Sequence, residues 1–157
     1  MKKNLNFLLG KEVINLFSLV IVEDDDKFEL DDTYIFELNN DIFVQILIDY
    51  NKLELFLINK ELTDVKIAGD FDSNSEKKLK EKEKGINLKI TSIESFVVKS
   101  SNLLIGSSFL NSKSEFLFAL SYGFDEIEFI YEEDEFLKMI KSFSDIDDLK
   151  SEINTNR

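Results

Sequence analysis

YIFELNNDIFVQILIDYNKLELFLIN, residues 34–59, reads as three β-strands joined by two short polar turns. Tyr34, Phe36 and Leu38 alternate with Ile35 and Glu37. Asn39-Asn40-Asp41 is turn chemistry, because Asn and Asp tolerate left-handed backbone and hydrogen-bond locally. Ile42 to Ile48 is an apolar run rich in β-branched residues. Tyr50-Asn51-Lys52 turns again, and Leu53 to Ile58 alternates around Glu54. Connections this short favour antiparallel pairing. Ile42 to Ile48 is apolar on both faces apart from Gln45, which places it in the centre of a sheet with helices or loops over its second face. The outer strands of such a meander offer edges to which a partner could add a strand.

Helix signals lie C-terminal to the meander. Ser73 and Glu76 have capping-box spacing and Gly85 suits a left-handed C-cap, yet Leu79 is the one large apolar residue between them. The pattern predicts an exposed polar helix or a loop over 73–85. Strands resume at Ile86 to Ile90, Ser95 to Lys99 and Leu103 to Ile105, with Gly106-Ser107-Ser108 as a bend. Ser112 and Glu115 repeat the capping-box spacing. Phe116, Ala119 and Leu120 then share one helical face, and Gly123 ends a predicted helix. Phe124 to Tyr131 reads as a strand with Ile127, Phe129 and Tyr131 inward, and Asp134 to Phe143 as a helix with Phe136, Ile140 and Phe143 inward. In the tail, 144–157, a short helix around Ile146, Leu149 and Ile153 is expected to fray. Residues 5–22 fit helix or strand, with the β-branched run favouring a strand near Leu19 to Val22. The expectation is one domain, 1–157, of α+β class: a mainly antiparallel sheet of about six or seven strands with two to four helices packed on it.

Composition narrows the chemistry. The chain has no cysteine and no histidine, so thiolate chemistry, disulfides and the commonest general base and metal ligand are absent. Hydrophobic residues make up 43% of its 157 residues and Phe alone supplies 15, which argues against disorder. Lys2 and Lys3 ahead of Phe7, Leu8 and Leu9 imitate a signal peptide, but Lys11, Glu12 and Asn15 break the apolar run. No run approaches the roughly 20 apolar residues that span a bilayer as a helix. The expectation is a soluble, cytoplasmic protein.

Net charge is −13 and unevenly spread. Residues 1–72 hold 7 basic and 16 acidic groups, 73–99 hold 7 and 4, and 100–157 hold 5 and 12. Two acidic flanks surround a lysine-rich patch. This balance repels nucleic acid and anionic membranes and attracts basic partners.

Candidate sites are few. Asp70, Asp72, Asn74 and Glu81 match positions one, three, five and twelve of an EF-hand loop. Ser75 stands where that loop needs glycine and Lys77 where it needs an apolar residue, so a polar turn is the better reading. No metal site and no cofactor are predicted. Carboxylate pairs could serve a hydrolase, but these acids sit in exposed-looking runs, and a catalytic acid needs burial to raise its pKa. Glycines are scattered singly, giving neither a phosphate loop nor a serine elbow. No catalytic residue is assigned. The lysines of 77–84 are interleaved with glutamates and read as self-paired rather than nucleic-acid binding.

What remains is surplus acid. Asp24, Asp25 and Asp26 form one run. Asp125, Glu126 and Glu128 fall on the predicted last strand, and Glu132, Glu133, Asp134 and Glu135 on the first turn of the helix after it. Acids at a helix N-terminus favour its dipole by roughly 0.3–1 kcal/mol each, but one or two suffice and four repel one another. These ten residues are the candidate partner-binding surface.

The run SEFLFALSYGFDEIEFIYEEDEFLKMIKSF, residues 114–143, together with the small, acidic, cysteine-free character of the whole chain, resembles the immunity proteins of bacterial contact-dependent inhibition and related polymorphic toxin systems. The resemblance implies a cytoplasmic inhibitor that binds one cognate toxin, often a basic nuclease, and masks its active or substrate-binding surface. It carries over no individual functional residue. A nucleic-acid mimic of phage or plasmid origin rests on the same charge argument, and a carboxylate-dependent hydrolase is the remaining alternative.

Overall fold

The computed structural model describes residues 2–49, 52–68, 75–122 and 126–155. The chain begins with β1 (Lys2–Lys3) and a 3-10 turn (Leu5–Leu8), then β2 (Glu12–Glu23), β3 (Asp26–Leu38), β4 (Ile42–Asp49) and β5 (Lys52–Ile58). After a long connection come β6 (Glu76–Lys89), β7 (Ser92–Val98), β8 (Leu103–Leu110), β9 (Phe116–Ser121) and β10 (Glu128–Ile130). The helix α1 (Glu133–Phe143), a 3-10 turn (Ile146–Asp148) and β11 (Leu149–Thr155) complete the order. Two antiparallel sheets result. One has the order β1-β5-β4-β3-β2-β6, the other β10-β9-β8-β7-β11.

The meander folds as its alternation predicts. β3, β4 and β5 pair in sequence and β4 is internal. Asn40 and Asp41 take left-handed φ of 66° and 57° at the first turn; the second, at 50–51, lies outside the described residues. The period of two then sorts β4. Val44, Ile46 and Ile48 enter the core between the sheets, where they meet Ile93, Phe109, Phe118 and Leu120 of the second sheet. Phe43 and Leu47 face the other way, under Leu62, Val65 and Ile67 of the connection after β5.

Gln45, the polar interruption in that run, is the clamp for this cover. Its Nε2 donates to Lys66 O (2.6 Å) and Thr33 Oγ1 (3.0 Å), while its Oε1 accepts from Lys66 N (2.8 Å). A buried amide with those partners satisfied locks the loop on without leaving a desolvated polar group.

The α+β expectation is overturned. Among the described residues there is one α-helix against eleven strands, not two to four helices on six or seven. Three segments account for the difference. The lysine-rich stretch is β6, an edge strand paired to β2 from Glu12↔Lys89 to Val22↔Glu76. As a helix it could bury only Leu79. As a strand it satisfies the backbone of β2 and turns its charges to water, the usual protection of a sheet edge. Gly85, at φ +64°, does not cap a helix but sits in an irregular part of this strand, its N–H bonded to Asn15 Oδ1 at 2.8 Å.

The predicted helix after Ser112 is β9. Asn111, not Ser112, organises the turn: its Oδ1 accepts from the N–H groups of Lys113 and Glu115. FLFALS is apolar on both faces because both are covered, Phe118 and Leu120 by the opposing sheet and Ala119 by α1. Nor is the tail helical beyond Ile146–Asp148 among the described residues; β11 pairs along β7 from Leu149↔Val98 to Thr155↔Ser92 instead of fraying there.

Smaller corrections follow the same lines. Gly106-Ser107-Ser108 is not a bend but the buried middle of β8. Residues 5–22 divide into a 3-10 turn and β2. The meander offers no free edge at β3 or β4, and β1 covers part of β5 at Leu55 and Phe56.

The helix from Glu133 to Phe143 is as the i, i+4, i+7 spacing predicts. Phe136 and Ile140 are buried against the outer face of the second sheet. Gly106 makes that approach possible: a Cβ there would stand 2.6 Å from Ile140 Cδ1 and 2.9 Å from Phe136 Cε1.

Candidate functional site

An open cleft of about 800 Å³ lies between α1 and the strand before it. Tyr34 of β3 forms one wall, Glu128, Phe129 and Ile130 of β10 the floor, and Glu135, Lys138, Met139 and Ser142 of α1 the other wall. The aromatic core fixes the floor. Phe129 stacks on Phe118 at 4.7 Å and meets Phe36 edge-on at 6.4 Å, so β10 is held against both sheets. Burying Phe129 between those rings leaves the flanking Glu126 and Glu128 exposed.

A second tie comes from β3. Its pairing with β2 passes from Ser18↔Tyr34 to Val20↔Glu29, so residues 30–33 bulge opposite Leu19. A bulge re-aims its strand locally. Here Asp31 O accepts from the N–H of Ile127 at 2.8 Å, joining β3 of one sheet to the approach of β10 in the other.

This junction collects negative charge around Tyr34. The Tyr34 hydroxyl is pushed up from its ordinary pKa, first by burial and then by the charges of Glu29, Glu128, Glu126 and Asp31. Tyr131 at the end of β10 is pushed up to about 12 by burial and by Glu83 of β6. The negative charge around Tyr34 therefore comes from β3 and the β10 segment, with Glu135 of α1 on the cleft wall and Glu83 of β6 beside Tyr131.

Glu29 is the one of these that is internally compensated. Lys80 Nζ lies 2.9 Å and Lys82 Nζ 2.5 Å from its oxygens, and Ser18 Oγ donates to it at 2.7 Å. The lysines, then the serine, hold its carboxyl down at about 2. That direction is opposite to what a general acid needs. Asp31, Glu126, Glu128 and Glu135 form no ion pair with a described residue.

The ten predicted partner-binding residues separate into groups. Glu128 and Glu135 line the cleft, and Glu126 acts on its Tyr34 wall. Glu132, Glu133 and Asp134 are exposed beside it; Glu132 occupies the N-cap of α1 without a side-chain cap bond, and Glu133 and Asp134 lie in the first turn. Asp24, Asp25 and Asp26 are exposed at the tip of the β2–β3 hairpin, where Asp24 takes φ 52°. From Ser18, opposite Tyr34, to Glu23, opposite Asp26, is five residues, or about 17 Å along the strand. Asp125 lies outside the described residues. So does most of the predicted strand start at Phe124: the described strand begins only at Glu128. Ile127 and Phe129 turn inward as expected, but Tyr131 is 41% exposed.

Sequence reading missed Glu29, Asp31, Tyr34, Glu83 and Lys138 as parts of the site. Nothing local marks them: strict alternation sets Glu29 and Asp31 on the face opposite Tyr34, and only the bulge at 30–33 re-aims that part of β3. The calcium-like positions 70, 72 and 74 lie outside the described residues, and Glu81 lies in β6. Among the described residues no group of three or more carboxylates is placed to hold a metal ion, and no helix is long and apolar enough to cross a membrane. Comparison finds no matching protein family, curated protein or solved structure.

Proposed function

We propose that this chain is an immunity protein, a cytoplasmic binding protein that neutralises a cognate basic bacterial toxin by seating a cationic segment of it in the Tyr34 cleft. The observation that carries the reading is an open cleft lined by Glu128 and Glu135, with Asp31 and Glu126 acting on the hydroxyl of its Tyr34 wall and none of the four ion-paired to a described residue. Held carboxylates repel one another, and a basic partner relieves that repulsion. Tyr34, Phe129 and Met139 supply apolar and aromatic contact area between the charges, the mixture that anchors protein interfaces. A toxin that grips nucleic acid presents the complementary basic cleft, and electrostatic matching would speed encounter.

The test is to express the genes that flank this one and to co-express this chain with any product that arrests growth. Growth rescue, together with a stable complex of the two purified proteins that blocks the toxin's activity, supports the reading. A toxin that stays active at saturating concentrations of this protein overturns it.

A further inference from the structure

Among the described residues β11 is an open sheet edge, and its sequence is complementary to itself. It is the last strand of its sheet, bonded to β7 on one side, and Lys150 to Thr155 are all exposed. The register with β7 runs without a shift, and the N–H of Lys99 donates to the carbonyl of Asp148 at 2.7 Å. In an antiparallel pair that bond fixes the alternation. Asp148, Lys150, Glu152 and Asn154 turn their backbone groups toward β7. Leu149, Ser151, Ile153 and Thr155 turn theirs outward.

We propose that β11 pairs with β11 of a second copy of this chain, antiparallel about a two-fold axis at Ser151. In this register Leu149 stands opposite Ile153 of the second copy, Ser151 opposite Ser151, and Ile153 opposite Leu149. All three are outward-facing positions, so each pair exchanges two backbone hydrogen bonds. Lys150 and Glu152 then face each other twice across the axis. They do so at the non-hydrogen-bonded positions, where Cα atoms approach to about 4.5 Å and side chains are closest. Within one chain the two already lie on one face, 3.8 Å apart. Sliding the strands by two residues sets Lys150 opposite Lys150 or Glu152 opposite Glu152. Sliding by one sets outward backbone groups against inward ones. Charge therefore selects the register.

The same register provides cover for the exposed apolar side chains of this arm. Ile146 is 66% and Ile153 60% exposed in the single chain. Leu149 belongs to the cluster beneath α1 and lines an apolar groove of about 220 Å³ with Phe96, Leu137, Ile140 and Ile146. Ile153 of the second copy, set opposite Leu149 on the same face, enters that groove beside Ile146. The product is a two-fold dimer with a continuous ten-stranded sheet. Its acidic clefts lie at the β10 ends, away from the axis, so both stay open to partners.

Sedimentation velocity of the full chain across the micromolar and submillimolar range tests this. The wild type is expected to pass from monomer to dimer. Lys150→Glu and Glu152→Lys, each of which replaces two ion pairs by two like-charge pairs, should each raise the dissociation constant by about tenfold or more. The double swap Lys150→Glu/Glu152→Lys should restore dimerisation. Both side chains are exposed, so circular dichroism of every variant should match the wild type. A wild type that stays monomeric throughout overturns the proposal, as does a dimer that the single reversals leave unweakened or that the double swap fails to restore.

Discussion

The N–H of Ile127 donates to the carbonyl oxygen of Asp31 at 2.8 Å, and through this bond the bulge of β3 in one sheet holds the approach to β10 in the other. Three carboxylates, Asp31, Glu126 and Glu128, are brought to Tyr34 by that junction. Acids 95 residues apart in sequence, at 31 and 126, thus share one surface.

Gln45 should matter more than its single polar side chain suggests. Gln45→Leu keeps the volume but strands the N–H and C=O of Lys66 under the β5 connection. A loss of about 1–3 kcal/mol in urea unfolding is expected, with faster amide exchange in residues 59–68. A change below about 0.5 kcal/mol, the size of an ordinary surface substitution, would show that the clamp does not hold the loop.

Gly106 sets the distance between α1 and its sheet. Gly106→Ala drives a methyl into Ile140 Cδ1 and the Phe136 ring and should destabilise the fold by about 1–3 kcal/mol. Ile140→Val, which trims the clashing atom, should recover part of the loss when combined with it. Equal stability of wild type and Gly106→Ala in thermal melts would contradict this packing.

Glu29 makes stability pH-dependent in a defined window. Its folded pKa, about 2, lies below the ordinary carboxylate value of 4.5. Its contribution is therefore fully present above pH 4.5 and is lost as pH falls toward 2. Because the group is near the surface the size stays within about 1 kcal/mol. Urea midpoints of wild type and Glu29→Gln should differ at pH 6 and converge as pH approaches 2. A difference that persists to pH 2 would rule out the ion pairs with Lys80 and Lys82 as its source.

Phe118 ties the sheets together, stacked between Phe109 at 4.5 Å and Phe129 at 4.7 Å and edge-on to Phe36. Phe118→Ala should cost about 3–5 kcal/mol. It should also loosen the cleft floor, seen as increased exchange at residues 127–130. Loss of less than about 1 kcal/mol would place the core elsewhere.

Where local pattern and tertiary demand agree, the residues announce their structure. Residues 34–59 alternate because each strand has two distinct faces, and Phe136, Ile140 and Phe143 recur at helical spacing because α1 has one. The errors fall where the two disagree. Lysine and glutamate in 77–84 have helix propensity, but the free edge of β2 supplies backbone partners that outweigh it. FLFALS has no period because both its faces are buried, and a capping-box spacing nearby tips such a run toward helix. Leu149 to Thr155 is nearly all exposed, so its burial gives no signal; only pairing with β7 defines it. At the site, the β10–α1 half is legible as an acid excess beyond the helix dipole. The β3 half is not, because a bulge and a contact between sheets place it.

Association kinetics with the cognate toxin bear most closely on the proposed role of the cleft. Rates should be compared at low and high salt for the wild type, for Glu128→Lys/Glu135→Lys in the cleft, and for Asp25→Lys at the hairpin tip. The cleft variant should associate at least about tenfold more slowly at low salt, with a flattened salt dependence, while the tip variant stays near wild type and both keep the wild-type fold. An unchanged association rate in the cleft variant would contradict the electrostatic seating of the toxin at Tyr34.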